Sequence, residues 1–366
     1  MLEKRYYYDE NHFQIENEVI FSQGWVFACM ADEVNGNNDF VTLDISGEPV
    51  VIQNFKGEIR AFQNICSHRF NKIQTEEFGK RPLTCGYHCW SFDKEGIPFF
   101  VPKKELFEEF KAGKAISNDF CLKRFELEIC GKFVFIKLDN TVTLSLADHL
   151  GTYYNILSDL SNHIGTNIHR GSVTHQANWK ILVENVLECY HCSVVHKDTL
   201  YGKLGVGSLA LDDVFYSEAH SSCHFPKRDV KKLEGKKRKL LSFLDNRELK
   251  HNSFYHIFIF PNLFVSSTEG ASFYVGQLFP ANPDHTDLKI RFFEPNINYE
   301  NVSPVLRDAL AEESVKLGYA IIEEDKTILE NIQKGVRRAK SPGIINEEEV
   351  RIKYFFDKYK RLIEHS

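Results

Sequence analysis

The sequence predicts an α+β protein: an all-β leading part followed by a part in which an antiparallel sheet is flanked by helices. Three observations carry this. From about residue 35 to residue 148, short runs of alternating apolar and polar residues are broken by turn glycines, the signature of short antiparallel strands. After residue 148, helical and strand patterns intermix, and the chain closes on a long helical stretch and a final amphipathic one. At 366 residues the chain is long enough for two domains.

Taken in order, residues 1–34 read as a polar start and then a helix-like stretch through "ENEVIFSQGWVFAC". "FVTLDISGEPVVIQNFKGEIRAFQNIC" follows as strands turned at Gly47 and Gly57. The β texture continues through "CGYHCWSFDKEGIPFFVP", with Asp93–Gly96 as a turn, to "CGKFVFIKLD" at 130–139. "ANWKILVENVLECYHC" looks helical, whereas "SFYHIFIFPNLFVSS", "SFYVGQLFPA" and "LKIRFFEPN" look like strands. The late helix opens at Ser303, a good N-cap with Pro304 in the first helical position, and ends near Gly335, with Gly318 as a point for a break or kink. "NEEEVRIKYFFDKYKRLIEH" is the final helix, and no internal repeat is visible. A basic run, Lys227 to Leu241, reads as a solvated loop or mobile helix; the sharper alternative is a docking patch for an acidic electron donor.

Composition narrows the function. The chain is 43% hydrophobic and 26% charged, and its 30 phenylalanines favour a large core or apolar pockets. A net charge of −6 gives no global reason to bind nucleic acid. No apolar run is long enough to span a membrane, and the polar, aromatic N-terminus has no signal-peptide core, so a cytoplasmic location is expected. Nine cysteines, an odd number, argue against a disulfide framework and for ordinary buried thiols, those beside histidines apart.

Two loops place cysteine and histidine together. "CSHRFNK" supplies Cys66 and His68; "CGYHCW" supplies Cys85 and His88. Two thiolates and two imidazoles can make a tetrahedral zinc site, or hold two irons with the cysteines on one and the histidines on the other. Zinc fingers generally pair like with like, whereas here each loop gives one of each, so two loops can clamp a cluster between them. The pattern resembles the Rieske cluster-binding motif. Arg69 after His68, and the absence of a partner cysteine in the first loop, are similar to the Rieske oxygenases rather than the respiratory proteins. Cys89 departs from that family, which more often has glycine there, and reads as a thiol without a redox role.

The stretch "ENVLECYHCSVVH", Glu184 to His196, sets His191 and His196 five residues apart behind Glu188. On a straight helix, residues five apart diverge by roughly 140°, so this is not the H-E-x-x-H zinc layout. Either the histidines are unrelated, or a bent or broken helix end turns both toward one point. Cys189, His191, Cys192 and His196 are four possible zinc ligands, but the cysteines combine with the histidines only through a tight loop, and they read as core or flanking residues.

"NWKILVENVLECYHCSVVH" resembles the iron-site motif of the Rieske oxygenases. The resemblance implies a cytosolic terminal oxygenase with an all-β Rieske [2Fe-2S] domain at 35–148, a helix-grip-like catalytic domain at 149–366, and residues 1–34 packing with the latter. It implies His191, His196 and Asp325, from "EEDKTILENIQKG", as ligands of a mononuclear Fe(II), with Glu324 and Glu323 as fallbacks. Glu188 would bridge to a cluster histidine of a neighbouring subunit in a homotrimer, and Asn185 would lie near the electron path. Glutamate within "ECYHC" is similar to the oxygenases of quaternary ammonium compounds such as carnitine and glycine betaine. No G-x-G-x-x-G fingerprint stands out, so NAD(P)H would act through a separate reductase, with or without a ferredoxin.

The expected reaction is monooxygenation of a small quaternary amine, by N-demethylation or C–N cleavage, using O2. Aromatics from Phe254 to Phe279 could cage a methylated ammonium or accept a flat ring, so an aromatic-ring hydroxylating mono- or dioxygenase is the alternative. The non-enzyme readings are a Rieske electron carrier and a zinc-stabilised binding protein.

Overall fold

The computed structural model describes residues 3–110, 117–207, 213–227, 244, 246–300 and 302–364. The basic run expected at Lys227–Leu241 lies outside the described residues except for Lys227, whose side chain is buried with its ammonium 2.9 Å from Glu269. The chain forms two compact units: Phe21–Leu146, and Met1–Ile20 together with Ala147–Ser366.

The first unit is all-β. Its strands are β1 Val26–Met30, β2 Asp39–Ile45, β3 Glu48–Phe55, β4 Glu58–Gln63, β5 Phe78–Lys80, β6 Ser91–Phe92, β7 Pro98–Phe100, β8 Arg124–Cys130 and β9 Phe133–Lys137. Seven make one antiparallel sheet in the order β1-β9-β8-β4-β3-β2-β5, and β6–β7 form a separate hairpin. Gly96 closes that hairpin's turn with φ +78, its N–H donating to the Asp93 carbonyl at 3.0 Å, while the Asp93 carboxylate accepts from the N–H groups of Glu95 and Ile97. One expectation is corrected here. "WVFAC" is not helical, and of residues 1–34, all expected to pack with the second unit, only 1–20 group with it while 21–34 belong to this one. Every residue of β1 is buried and the strand pairs with β9, and such continuous apolar runs do not distinguish a buried strand from a buried helix by period.

The second unit holds a seven-stranded antiparallel sheet and the longer helices. Its strands are β10 Ile164–His175, β11 Val214–Ser217, β12 His220–Pro226, β13 Ser253–Ile259, β14 Leu263–Thr268, β15 Ser272–Asn282 and β16 His285–Pro295, ordered β10-β16-β15-β14-β13-β12-β11. "FPN", Phe260–Asn262, is the turn between β13 and β14 rather than part of a strand. The helices are α1 Glu10–Glu16, α2 Leu146–Leu150, α3 Tyr153–His163, α4 Trp179–Val186, α5 Cys192–Val195, α6 Pro304–Val336 and α7 Val350–Glu364.

Helix α6 begins as its sequence dictates, Ser303 Oγ accepting from the Leu306 N–H with proline next in line. It runs without a break through Gly318. A Cβ at Gly318 would stand 2.2 Å from the Phe292 ring, so the glycine serves close packing against β16. Two polar anchors fix α4 in place. Gln333 of α6 accepts from the Asn178 N–H at 3.0 Å at the start of α4, and donates to the Tyr7 carbonyl and to Asp284. The buried Lys180 ammonium meets the equally buried Glu16 at 2.5 Å, and Trp179 donates to the same carboxylate. A charge buried this deeply is tolerable only when paired and hydrogen-bonded, which ties α1 to α4.

Candidate active site: two sets of metal donors and an apolar cavity

The Cys–His loops of the first unit are built alike. In each, the cysteine N–H is bonded by the residue five ahead and the cysteine carbonyl by the N–H four ahead: Asn71 and Phe70 for Cys66, Trp90 and Cys89 for Cys85. The fourth-ahead residue is left-handed in both, Phe70 and Cys89 each having φ 60. That explains the departure seen at Cys89: the turn demands a conformation glycine adopts at least cost. Cys66 and Cys85 are buried free thiols within hydrogen-bonding reach of each other. The His68 and His88 rings lie 4.6 Å apart, with His68 stacked on Trp90.

This arrangement tests the donor set. One tetrahedral zinc would need all four donors in a single shell, but no three of these residues bring ligand atoms within 4.8 Å of one another. Sulfur faces sulfur and imidazole faces imidazole, which fits two irons with unlike ligands. The Nδ1 of His68 is buried without a hydrogen-bond partner, as suits a ring whose function is completed by a metal cluster. Burial pushes the Cys66 thiol up, to about 11. Burial acts on Cys85 too, but the N–H groups of Tyr87 and His88 and the Asn71 amide outweigh it and hold that thiol below the usual range. Donors aimed at a sulfur favour the thiolate that binds metal.

In the second unit the five-residue spacing is resolved by a broken helix. Helix α4 ends at Val186, and the single turn α5 begins at Cys192. His191 stands immediately before that turn and His196 immediately after it, so neither is bound to a helical face. Their Nε2 atoms come within 3.3 Å. Asp325 of α6 brings Oδ1 to 3.2 Å from Nε2 of His196 and 3.7 Å from Nε2 of His191. That oxygen is buried and has no hydrogen bond of its own, an orphaned acceptor beside two imidazoles. Two neutral nitrogens and one carboxylate oxygen in such a cluster are a donor set for a divalent transition metal with open positions.

Each imidazole is also held from behind. Nδ1 of His191 meets Glu188, whose other oxygen accepts from the His191 N–H at 3.3 Å. Nδ1 of His196 donates to Glu324 at 2.7 Å, and the Thr199 hydroxyl donates to the same oxygen at 2.6 Å. Carboxylates in these positions set the tautomer and direct Nε2 forward. Burial opposes a charge on His196, but the Asp325 and Glu324 carboxylates prevail and raise its pKa, so the local potential favours a cation. Glu324, expected only as a fallback ligand, stands behind the His196 ring instead, and Glu323 does not join the cluster. Thr199 was not legible from the sequence; no motif marks it.

Another expectation is corrected at the same place. Cys189 and Cys192 are joined as a disulfide with Cα atoms 5.0 Å apart. The tight loop around His191 brings the sulfurs together, and neither is left to bind zinc. Cys66, Cys85, Cys89, Cys121 and Cys223 are free thiols.

These donors open on a cavity of about 230 Å3. Its floor is a patch of sheet on which His256, Ser266, Tyr274 and Phe292 stand side by side across β13 to β16. Its roof is α6, through Leu317, Gly318, Ile321 and Asp325, and α4 contributes Leu182 and Asn185. Of the aromatics singled out between Phe254 and Phe279, Phe254, Phe264, Phe273 and Tyr274 line the cavity. Phe258 and Phe260 pack on Phe355 in the core instead, and Tyr255 stacks on His224. His175, not anticipated, also lines the cavity, and neither of its buried ring nitrogens is hydrogen-bonded.

An all-β unit with paired Cys–His turns, in one chain with a sheet-and-helix unit carrying two histidines and one carboxylate, defines a class of iron protein. Residues 24–111 match the Rieske [2Fe-2S] domain. Residues 159–365 match the ring hydroxylating alpha subunit (catalytic domain), and the chain belongs to that family. The cofactors of the class are a two-iron Rieske cluster and a mononuclear iron.

Similar curated proteins include the glycine betaine monooxygenase oxygenase subunit of Pseudomonas aeruginosa, 30% identical over 206 residues, or 54% of this chain and 45% of the relative. The carnitine monooxygenase oxygenase subunit of Escherichia coli K12 is 34% identical over 196 residues, 52% and 51% of the two chains. The anthranilate 1,2-dioxygenase large subunit of Acinetobacter baylyi is 32% identical over 235 residues, 56% and 49%. The chain thus spans about half the length of the curated relatives it matches. The fold is shared with the quaternary ammonium Rieske monooxygenase CntA, at TM-score 0.79 and 21% identity over 99% of this chain and 95% of that one. It is shared also with naphthalene 1,2-dioxygenase from Rhodococcus, at TM-score 0.75 and 19% identity over 99% and 94%. Among the described residues no helix is long and apolar enough to cross a membrane.

Proposed function

We propose that the chain is a terminal oxygenase that takes electrons from a separate NAD(P)H-dependent reductase, directly or through a ferredoxin, and uses O2 to monooxygenate a small quaternary ammonium compound. The observation that carries the reading is the convergence of His191, His196 and Asp325 at the edge of an apolar cavity, with Glu188 and Glu324 behind the two rings. In this reading these three residues hold a mononuclear Fe(II), and Cys66, His68, Cys85 and His88 hold the Rieske cluster. Iron bound there supplies O2 activation, and the cluster supplies electrons one at a time.

The chain's own residues then have defined tasks. Glu188 and Glu324 orient the imidazoles and can take up or release a proton at Nδ1 as the charge on the centre changes. Phe254, Phe264 and Tyr274 exclude water and offer ring faces to a methylated ammonium. Glu188 further carries the electron between subunits of a homotrimer, with Asn185 beside it in the cavity wall. Exposed Tyr190 next to Glu188, and exposed Phe70 and Tyr87 on the cluster turns, support such facing surfaces. The description of CntA in terms of inter-subunit electron transfer supports the same view.

Oxygen uptake with a generic reductase, measured across glycine betaine, carnitine and aromatic acids with labelled O2, tests this. Uptake tied to one labelled oxygen in the aldehyde released as the amine is dealkylated or cleaved, trapped by reduction before it exchanges with water, is expected. Products of an aromatic acid alone would move the substrate to the aromatic class. Loaded protein that oxidises none of them, or metal analysis finding only the two cluster irons, would sink the oxygenase reading.

A further inference from the structure

Arg351 is the second residue of α7 and is fully buried. Its Nε donates to Ser221 Oγ at 3.1 Å, one terminal nitrogen to Cys223 Sγ at 3.0 Å, and the other to the Ser221 carbonyl at 3.1 Å. Both terminal nitrogens also lie 3.2 Å from Nδ1 of His256. Among the described residues none of its partners is a carboxylate. The preceding acids do not serve: Glu349 accepts from the Asn346 N–H, and Glu347 and Glu348 form no ion pair with Arg351. The guanidinium also sits in the first turn of its helix, the end whose dipole disfavours a cation. An apolar side chain of similar volume would fill the space without burying an unbalanced charge.

The arrangement determines which nitrogen of His256 carries the proton. A guanidinium can only donate, so Nδ1 must present its lone pair. In the neutral ring the proton is then on Nε2. Burial, with the Arg351 charge added, pushes the His256 pKa well below its ordinary value, so the ring stays neutral. Among the described residues no hydrogen bond reaches Nε2, whose N–H axis points away from the guanidinium by the geometry of the ring. The ring itself lines the cavity, and directly opposite it on β14 stands Ser266, a hydroxyl-bearing residue of the same lining. Among the described residues no lysine or arginine lines the cavity, and Arg351, directly behind His256, offers a compensating charge to a negatively charged ligand group there.

We infer that His256, backed by Arg351 and flanked by Ser266, is a carboxylate-recognition element, its Nε2–H donating to a substrate carboxylate whose charge balances the buried guanidinium. The substrate is then an acid whose remaining body is apolar or a methylated ammonium, seated against Phe254 and Phe264, whose centroids lie 6.5 and 6.1 Å from His256. The inference rests on the oxygenase reading only in taking this cavity as the substrate site.

Binding rather than turnover tests it. Calorimetric dissociation constants are measured on the iron-loaded protein for two matched pairs, glycine betaine with its methyl ester and benzoate with methyl benzoate. At least one acid is expected to bind ten-fold or more tighter than its ester. In His256→Phe and Arg351→Met that preference should shrink to about two-fold or less while the ester's affinity holds. His256→Gln, which can accept from Arg351 and still donate to the cavity, should recover most of it. An unchanged cluster spectrum certifies each variant as folded, and the wild-type ratio needs no variant. Acids and esters binding alike, neither member of either pair binding, or a preference that survives in His256→Phe would each overturn the inference. An acid preference in a protein that oxidises none of these compounds would leave the inference standing and count against the oxygenase reading alone.

Discussion

Glu324 accepts a hydrogen bond from Nδ1 of His196 at 2.7 Å, while the next residue on the helix, Asp325, turns Oδ1 toward Nε2 of the same ring. Successive helical positions differ by about 100° in direction, so one stretch of α6 addresses both edges of one imidazole. Glu324→Ala is therefore expected to weaken iron binding about 10- to 100-fold. Glu324→Gln, which keeps an acceptor, should lose less. Chelator competition with the cluster spectrum as internal reference makes the measurement, and unaltered affinity in the alanine variant would show the contact to be incidental.

Asp325→Ala removes the sole carboxylate oxygen among the three converging donors. Iron should fall from about three to about two atoms per chain, with acid-labile sulfide and the cluster's absorption unchanged. Retention of the third iron would mean that another residue holds it.

At Glu188, substitution by glutamine keeps shape and removes charge. Both metal centres should remain loaded, and cluster reoxidation in a single turnover should slow by about tenfold or more. Stopped-flow absorbance at the cluster band reads this directly. A wild-type rate would contradict the role given to Glu188 as the bridge between subunits.

Glu184 is half-buried, and desolvation pushes its carboxyl up from 4.5 to about 7, although the Tyr7 hydroxyl at 2.6 Å and the Lys180 charge act in the opposite direction. The folded state thus holds a proton that the unfolded chain releases at lower pH. Its stabilisation is complete below about pH 4.5 and is lost as pH rises through about 7. Glu184→Gln should flatten the fall in melting temperature between pH 5 and pH 8, measured against wild type in the same buffers. Parallel curves for the two proteins would refute the assignment.

Much of the site was legible because its donors come from short local turns. The Cys–His spacings at 66–68 and 85–88 and the run from Glu188 to His196 encode their own geometry within a few residues, and chemistry allows few uses for such sets. Asp325 was reachable only through resemblance, since one acid on a polar helix face carries no signal of its own. The strand at Val26–Met30 was misread because a fully buried run has no period. The Cys189–Cys192 disulfide was missed because composition speaks to frameworks of crosslinks and not to a single loop.

By itself the sequence determined the β-first organisation, the two Cys–His turns, the histidine pair behind Glu188, and the long helix capped by Ser303 and Pro304. Only the tertiary structure decided which of two neighbouring acids faces which edge of His196, which aromatics leave the core for the cavity, and that Arg351 lies behind His256. The physical reason is range. Turns and caps are settled by neighbours along the chain, whereas Arg351 and His256, 95 positions apart, meet only because α7 packs against the sheet beside β12 and β13.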